Sequence, residues 1–269
     1  MLEATIAVMP PVLVGAGDIA DCALDGDDAT AALVQAIPGF VFTAGDNAYQ
    51  DGTALDFADC YDPSWGRFRT RTRPTPGGHD YRTPGGAGYY AYFGPSAGTP
   101  GQGYYSYEVG AWHVVALNSN IPRDSSSPQF AWLRADLAAN HKHCLLAYVY
   151  HPRFSSGQHG SVAAMQPIWE MLYAAGAEVV ISGHDHLYER FVPQRPDGTP
   201  DPAQGIRQFT VGTGGALLTG IRLRLPTSEF VQTGRWGVLR LALNDSSYQW
   251  EFVQAPGGRM LDSGTGTCH

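Results

Sequence analysis

Short apolar stretches rich in β-branched residues recur along the chain, each stopped by Gly, Pro or Asp. They are Val12-Leu13-Val14, Phe40-Val41-Phe42, residues 112–117 and 144–150, Val179-Val180-Ile181, and residues 209–211 and 238–243. Their shortness and punctuation predict buried strands. Three stretches carry helical spacing instead: 28–36, begun by acids; 128–139, entered through Ser and Pro; and 162–175. The early alternation predicts β-α-β units, and the strand-rich later part predicts a second, mixed sheet. The expected fold class is α/β, as a two-sheet sandwich. Residues 81–107 pack seven tyrosines among glycines and prolines. This segment reads as loop and hairpin, its rings either packed across strands or rimming a cleft.

At 269 residues, one domain spanning 1–269 is expected. The net charge of −8 comes from 25 acids against 17 bases, with no stripe of Lys or Arg, which argues against a stable nucleic-acid partner. No apolar run reaches the roughly 20 residues of a membrane helix, so no membrane partner is expected. The start, Met1-Leu2-Glu3-Ala4, lacks the charged and apolar regions of a signal peptide, and the chain reads as a soluble mature form. Four cysteines too widely spaced for a C-x-x-C motif suit two disulfides and a secreted or periplasmic setting; the competing reading is four buried thiols in a cytosolic enzyme. Three pairings are possible. Cys22 and Cys60 each follow a Gly-Asp block, Cys144 opens an apolar run and Cys268 is penultimate, which favours Cys22 with Cys60 and Cys144 with Cys268.

In α/β sheets, ligands gather beyond the carboxyl ends of strands, so the residues after each apolar run carry the chemistry. Five of these ends hold metal-ligand types: Gly17-Asp18; Gly45-Asp46-Asn47-Ala48-Tyr49; Gly77-Gly78-His79-Asp80; His151-Pro152; and Gly183-His184-Asp185-His186. Taken singly, a Gly-Asp pair is a turn or a helix cap, and His151 is a packed histidine. The His-x-His pair is harder to dismiss, because alternate residues of an extended segment present both imidazoles to one point.

The order Gly-Asp, Gly-Asp-x-x-Tyr, Gly-x-His-Asp, His, Gly-His-x-His resembles the metallophosphoesterase (calcineurin-like) superfamily, and within it the purple acid phosphatases. Ala20 stands where many other members carry the His of Asp-x-His, and Tyr49 offers the missing ligand as purple acid phosphatases do. The resemblance implies a four-layer αββα sandwich with two mixed sheets and the metal site at the strand C-terminal ends. It implies that Asp18, Asp46, Tyr49 and His186 hold one metal, that Asp46, His151 and His184 help hold a second, and that Asp46 bridges them. Phenolate and carboxylates favour Fe(III), whereas imidazoles suit a divalent ion such as Zn, Mn or Fe(II). The implied activity is that of a metallophosphatase acting on small-molecule phosphate esters, monoesters above all, through attack of a metal-bound hydroxide on phosphorus. His79 and His159 are the candidates to face the phosphate and protonate the leaving group. The extra amino-terminal domain of larger plant relatives is expected to be absent.

One position departs from the family. Gly78 stands where the family has an Asn whose amide oxygen binds the second metal. A weakened second site is therefore expected, with Gly78→Asn raising its occupancy, and a catalytically impaired metal- or phosphate-binding relative is the alternative, as is a phosphodiesterase. His113 reads as packed, and His141, His143 and His269 lie outside the blocks. Gly15-x-Gly17-x-x-Ala20 formally satisfies a dinucleotide-binding pattern, but residues 22–28 delay the helix and an acid would meet the pyrophosphate. No Gly-x-Ser-x-Gly elbow supports a serine hydrolase.

Overall fold

The computed structural model describes residues 9–269; the start of the chain, read above for its lack of a signal-peptide pattern, lies outside them. Strands β1 (Val12–Ala16), β2 (Phe40–Ala44) and β3 (Thr72–Thr75) run parallel and begin one sheet. The chain then builds a second sheet from β4 (Tyr105–Val109), β5 (Trp112–Ala116), β6 (Cys144–Val149), β7 (Val179–Ser182), β8 (Tyr188–Phe191), β9 (Arg207–Val211) and β10 (Ser228–Gln232). It returns to the first with β11 (Trp236–Leu243), β12 (Ser247–Ala255) and β13 (Met260–Thr267). The orders are β13-β12-β11-β1-β2-β3 and β10-β8-β9-β7-β6-β5-β4. Both sheets are mixed: β11 lies antiparallel to β1, while β5, β6, β7 and β9 are parallel with antiparallel neighbours at their flanks.

Period-two alternation explains why β6 reads as an unbroken apolar run. Leu146 and Tyr148 face the first sheet's Leu13 and Phe42, the Tyr148 and Phe42 rings lying 5.8 Å apart, whereas Leu145, Ala147 and Val149 face the helices outside. Those helices are Pro128–Ala139 and Gln166–Ala174, seated through Leu133, Ile168, Trp169 and Leu172. Each such buried side chain contributes about 1.5–3 kcal/mol of transfer free energy. Helix Gly26–Ala36 covers the outer face of the first sheet through Ala31 and Val34, which completes a four-layer αββα sandwich. The helix at 128–139 keeps its expected bounds, with the Ser127 hydroxyl accepting from Phe130 N. The stretch 162–175 divides into a 3-10 turn, Ala163–Met165, and the α-helix Gln166–Ala174, because Pro167 sits in the first helical turn.

Residues 81–107 correct part of the expectation: they hold the helix Ala87–Phe93, after which β4 pairs antiparallel with β5 as a hairpin. Burial decides this. Tyr89, Tyr90 and Phe93 enter the core, and the Tyr89 and Tyr105 hydroxyls both donate to the Pro74 carbonyl, at 3.0 and 2.8 Å. Both favoured disulfides are present, Cys22–Cys60 and Cys144–Cys268. His113 is packed as expected, its Nε2 lying 2.7 Å from Asp136.

Candidate metal centre

Five strand ends meet at one edge of the sandwich. Asp18 follows β1, Asp46 follows β2 and His79 follows β3, while His151 follows β6 and His184 follows β7, so both sheets contribute. Hydrogen bonds lock the ends together: Asp18 N donates to Gly45 O (3.0 Å), Ile19 N to Asp46 O (2.9 Å), His79 N to Asp46 Oδ1 (2.7 Å) and His184 N to Asp18 Oδ2 (2.8 Å). Among the described residues, the non-glycine positions with positive φ are Asp18 (58°), Asp46 (47°) and His184 (72°). Such backbone costs on the order of 1–3 kcal/mol at each position and gathers at functional sites. Close approach also fixes two glycines. A Cβ at Gly77 would fall on the backbone N and carboxylate of Asp46, and one at Gly183 would lie 2.6 Å from the Ala44 carbonyl and 2.7 Å from Asp18 Oδ2.

The first group of donors surrounds the Tyr49 hydroxyl. Asp18 Oδ1 is 3.1 Å from it, Asp46 Oδ2 3.2 Å and His186 Nε2 3.3 Å, and His186 Nε2 is 3.2 Å from Asp18 Oδ1. The imidazoles expected at a second metal, His151 and His184, pack with centroids 4.7 Å apart, and the Tyr150 hydroxyl links His184 to Asp46. His79 Nε2 stands 4.0 Å from Asp46 Oδ2, and the exposed His159 ring stacks on His184 with centroids 4.5 Å apart. All eight expected site residues therefore converge on one region.

Several supporting residues escaped the sequence reading. Ser119 Oγ lies 2.7 Å from His151 Nδ1, leaving Nε2 to face the site. The Leu217 carbonyl, 2.7 Å from His186 Nδ1, orients that ring in the same way. Buried Asp80 accepts from Gly77 N (2.7 Å) and Asn47 Nδ2 (2.9 Å), joining two blocks. Asp185, the residue between the paired histidines, accepts from Ser155 Oγ (2.5 Å), His159 N (2.8 Å) and Gly160 N (3.1 Å), which holds His159 over the site. The Tyr150 hydroxyl donates to Asp46 Oδ2 (2.6 Å) and lies 2.9 Å from His184 Nδ1. None of these carried a signal beyond its place in or beside an apolar run or a ligand block. The glycine loop after β9 lies behind Asp18: Gly214 N donates to Gly17 O and Ala216 N to Asp18 O.

Burial, reinforced by the Asp18 carboxylate, pushes Asp46 above the usual carboxylate range. Burial also pushes the Tyr49 phenol well up, with Asp18 and Asp46 adding to the effect. Burial lowers His151 to about 3 and lowers His184, so both imidazoles are neutral, the form that binds metal. His186 differs: burial alone would lower it, but Asp18 raises it to about 9. A cation among these groups would reverse the penalties on the acids and the phenol.

The donors around Tyr49 fit a metal on spacing as well as chemistry. Ligands about 2.0–2.2 Å from one ion stand roughly 3.0–3.5 Å from each other, as do the oxygens and nitrogen around Tyr49. Among the described residues, no group of three or more His, Cys, Asp and Glu alone has metal-holding geometry; the group around Tyr49 depends on the phenol as a donor.

No protein-family model matches the chain. The curated relatives it matches are purple acid phosphatases of Arabidopsis thaliana. One of them, purple acid phosphatase 21, is 37% identical over 153 residues, covering 53% of this chain and 34% of the relative. The chain spans about half the length of such relatives at most. Among solved structures, the purple acid phosphatase PPD1 from yellow lupin (Lupinus luteus) seeds has a TM-score of 0.77 at 18% identity, over 95% of this chain and 53% of that one. GAP50, the anchor in the inner membrane complex of Plasmodium, has a TM-score of 0.75 at 14% identity, over 97% of this chain and 90% of that one. In its sequence the chain resembles the purple acid phosphatase branch of the metallophosphoesterase superfamily, and it shares that superfamily's fold.

Proposed function

We propose that the chain is a dinuclear-metal phosphate-ester hydrolase, an acid phosphomonoesterase of purple acid phosphatase type. The observation that carries this reading is the meeting of Asp18, Asp46 and His186 around the Tyr49 hydroxyl at 3.1–3.3 Å. Asp18, Asp46, Tyr49 and His186 would hold Fe(III); Asp46, His151 and His184 would help hold a divalent Zn, Mn or Fe(II). Bound there, the pair would supply Lewis-acid clamping of the phosphoryl oxygens and a water acidic enough to attack phosphorus.

The chain's own groups orient and protonate. His186 donates Nδ1–H to the Leu217 carbonyl, which leaves Nε2 as the ligand atom. His79 engages the Gln50 carbonyl through Nδ1 at 2.6 Å, so its Nε2 is the nitrogen that faces the Asp46 side. Burial holds His79 below the usual imidazole range, which makes its protonated form a ready donor to a leaving alkoxide. His159, exposed and stacked on His184, is the second candidate for that proton.

Small-molecule phosphate esters are the substrates this reading implies. Residues 1–269 would act as one domain, and the two disulfides support a secreted or periplasmic setting. An impaired relative has Gly78 alone in its favour, and a phosphodiesterase has no observation behind it. The test is hydrolysis of a chromogenic phosphomonoester after loading with iron and a divalent metal. Saturable turnover that a chelator and Asp46→Ala abolish is expected; fully loaded protein without turnover would count against the reading.

A further inference from the structure

The two donor groups differ in their oxygen donors. Tyr49 completes the first, but the second has Gly78 where the resemblance calls for an amide oxygen. The neighbour of Gly78 is nevertheless a phenol. A Cβ built there would stand in contact with Tyr150, 3.5 Å from its ring and 3.7 Å from its hydroxyl. Tyr150 directly precedes His151, is 4% exposed, and packs edge-on against the rings of His151 and His184 with centroids 4.7 and 4.9 Å away. Its hydroxyl is 2.6 Å from Asp46 Oδ2 and 2.9 Å from His184 Nδ1. Tyr49 reaches that same Asp46 oxygen from the other group. Each group thus has a buried phenol as the common neighbour of its donors.

We infer that Tyr150 supplies the second metal with the oxygen donor that Gly78 lacks, so that each metal of the centre carries a tyrosine. The inference rests on the dinuclear reading above. Metal binding would release the phenol proton to solvent, as for any protonated ligand. A phenolate in place of a neutral amide adds one negative charge to the second position and shifts its preference from Zn toward Fe or Mn. The expectation of a weakened second site changes with it: Gly78→Asn alone sets an amide against Tyr150 and gains no metal.

The test loads the wild type, Tyr150→Phe and Tyr49→Phe with iron, oxidises all bound iron to Fe(III), so that any phenolate ligand gives a visible band, and then measures iron per chain and the visible spectrum. The wild type is expected to hold two irons. Tyr150→Phe, which keeps the ring, is expected to fall to one iron and to retain the Tyr49 phenolate band. Two irons and an unchanged spectrum in Tyr150→Phe would overturn the inference while leaving the dinuclear reading intact. A wild type that holds no more than one iron would overturn that reading and the inference together. Should Tyr150→Phe lose both irons, Tyr49→Phe decides: a surviving visible band requires a second tyrosine on iron, whereas a colourless iron-loaded variant rejects it.

Discussion

The His159 imidazole stacks on that of His184 with centroids 4.5 Å apart and planes inclined by 28°. His159 is thereby held beside a proposed ligand while staying exposed at the mouth of the site, the position a leaving-group acid requires. His159→Ala is expected to lower kcat/KM about 100-fold for alkyl phosphates, whose alkoxide must be protonated, and far less for nitrophenyl phosphate. Metal content should not change. Equal losses on both substrates would contradict proton donation by this residue.

Asp185 supports that arrangement from below. Fully buried, it accepts three hydrogen bonds from the segment that carries His159. Asp185→Ala leaves those donors without a partner and is expected to cost about 3–5 kcal/mol of stability. The variant should also show the His159→Ala substrate pattern. Urea unfolding measures the first effect, and a loss below about 1 kcal/mol would mean that the loop is held by other contacts.

Far from the centre, Glu178 is 2% exposed and lies 2.6 Å from His269 Nδ1. The distance suggests an ion pair, but burial raises Glu178 to about 8 and lowers His269, so the contact is a protonated carboxyl against a neutral imidazole. Arg207 and Tyr248 line the adjoining cavity, and Asp201 acts on His269 from beside it. From the model-peptide value of 4.5 up to about 8, the folded chain holds a proton that the unfolded chain has lost. Stability therefore falls as pH rises through that window. The His269 shift acts in the opposite sense and only below its ordinary 6.5. Glu178→Gln is expected to remove a loss of at most about 2 kcal/mol between about pH 6.5 and 8. Unfolding curves at both pH values check this; an unchanged slope in the variant would contradict it.

The Cys22–Cys60 bridge closes 38 residues and ties the segment after Asp18 to the helical turn behind Tyr49. Cys22→Ser with Cys60→Ser is expected to cost about 3–4 kcal/mol through loop entropy. The first metal should exchange faster as well. Metal retention during dialysis against a chelator reads that second effect, and equal retention would show that the bridge acts on stability alone.

The ligand blocks were legible because each sits where a short apolar strand stops, and turn residues mark that place in sequence. β1, β2, β6 and β7 were readable for the same reason. The helix Ala87–Phe93 was not, since glycines flank it and its stability comes from burying Tyr89, Tyr90 and Phe93, a tertiary effect that local pattern does not record. Tyr150 was hidden inside the apolar run 144–150, where nothing distinguishes a strand tyrosine from a donor until Gly78 is seen beside it. Asp185 and Ser119 act through His159 and His151, and such indirect partners leave no spacing to read.

The most direct test of the centre is metal analysis of the iron-loaded wild type paired with its visible spectrum. Two metal ions per chain and a phenolate-to-iron charge-transfer band are expected, with hydrolysis of a phosphomonoester lost on chelation. A colourless protein that holds its full complement of iron would contradict Tyr49 as a ligand, and with it the proposed centre.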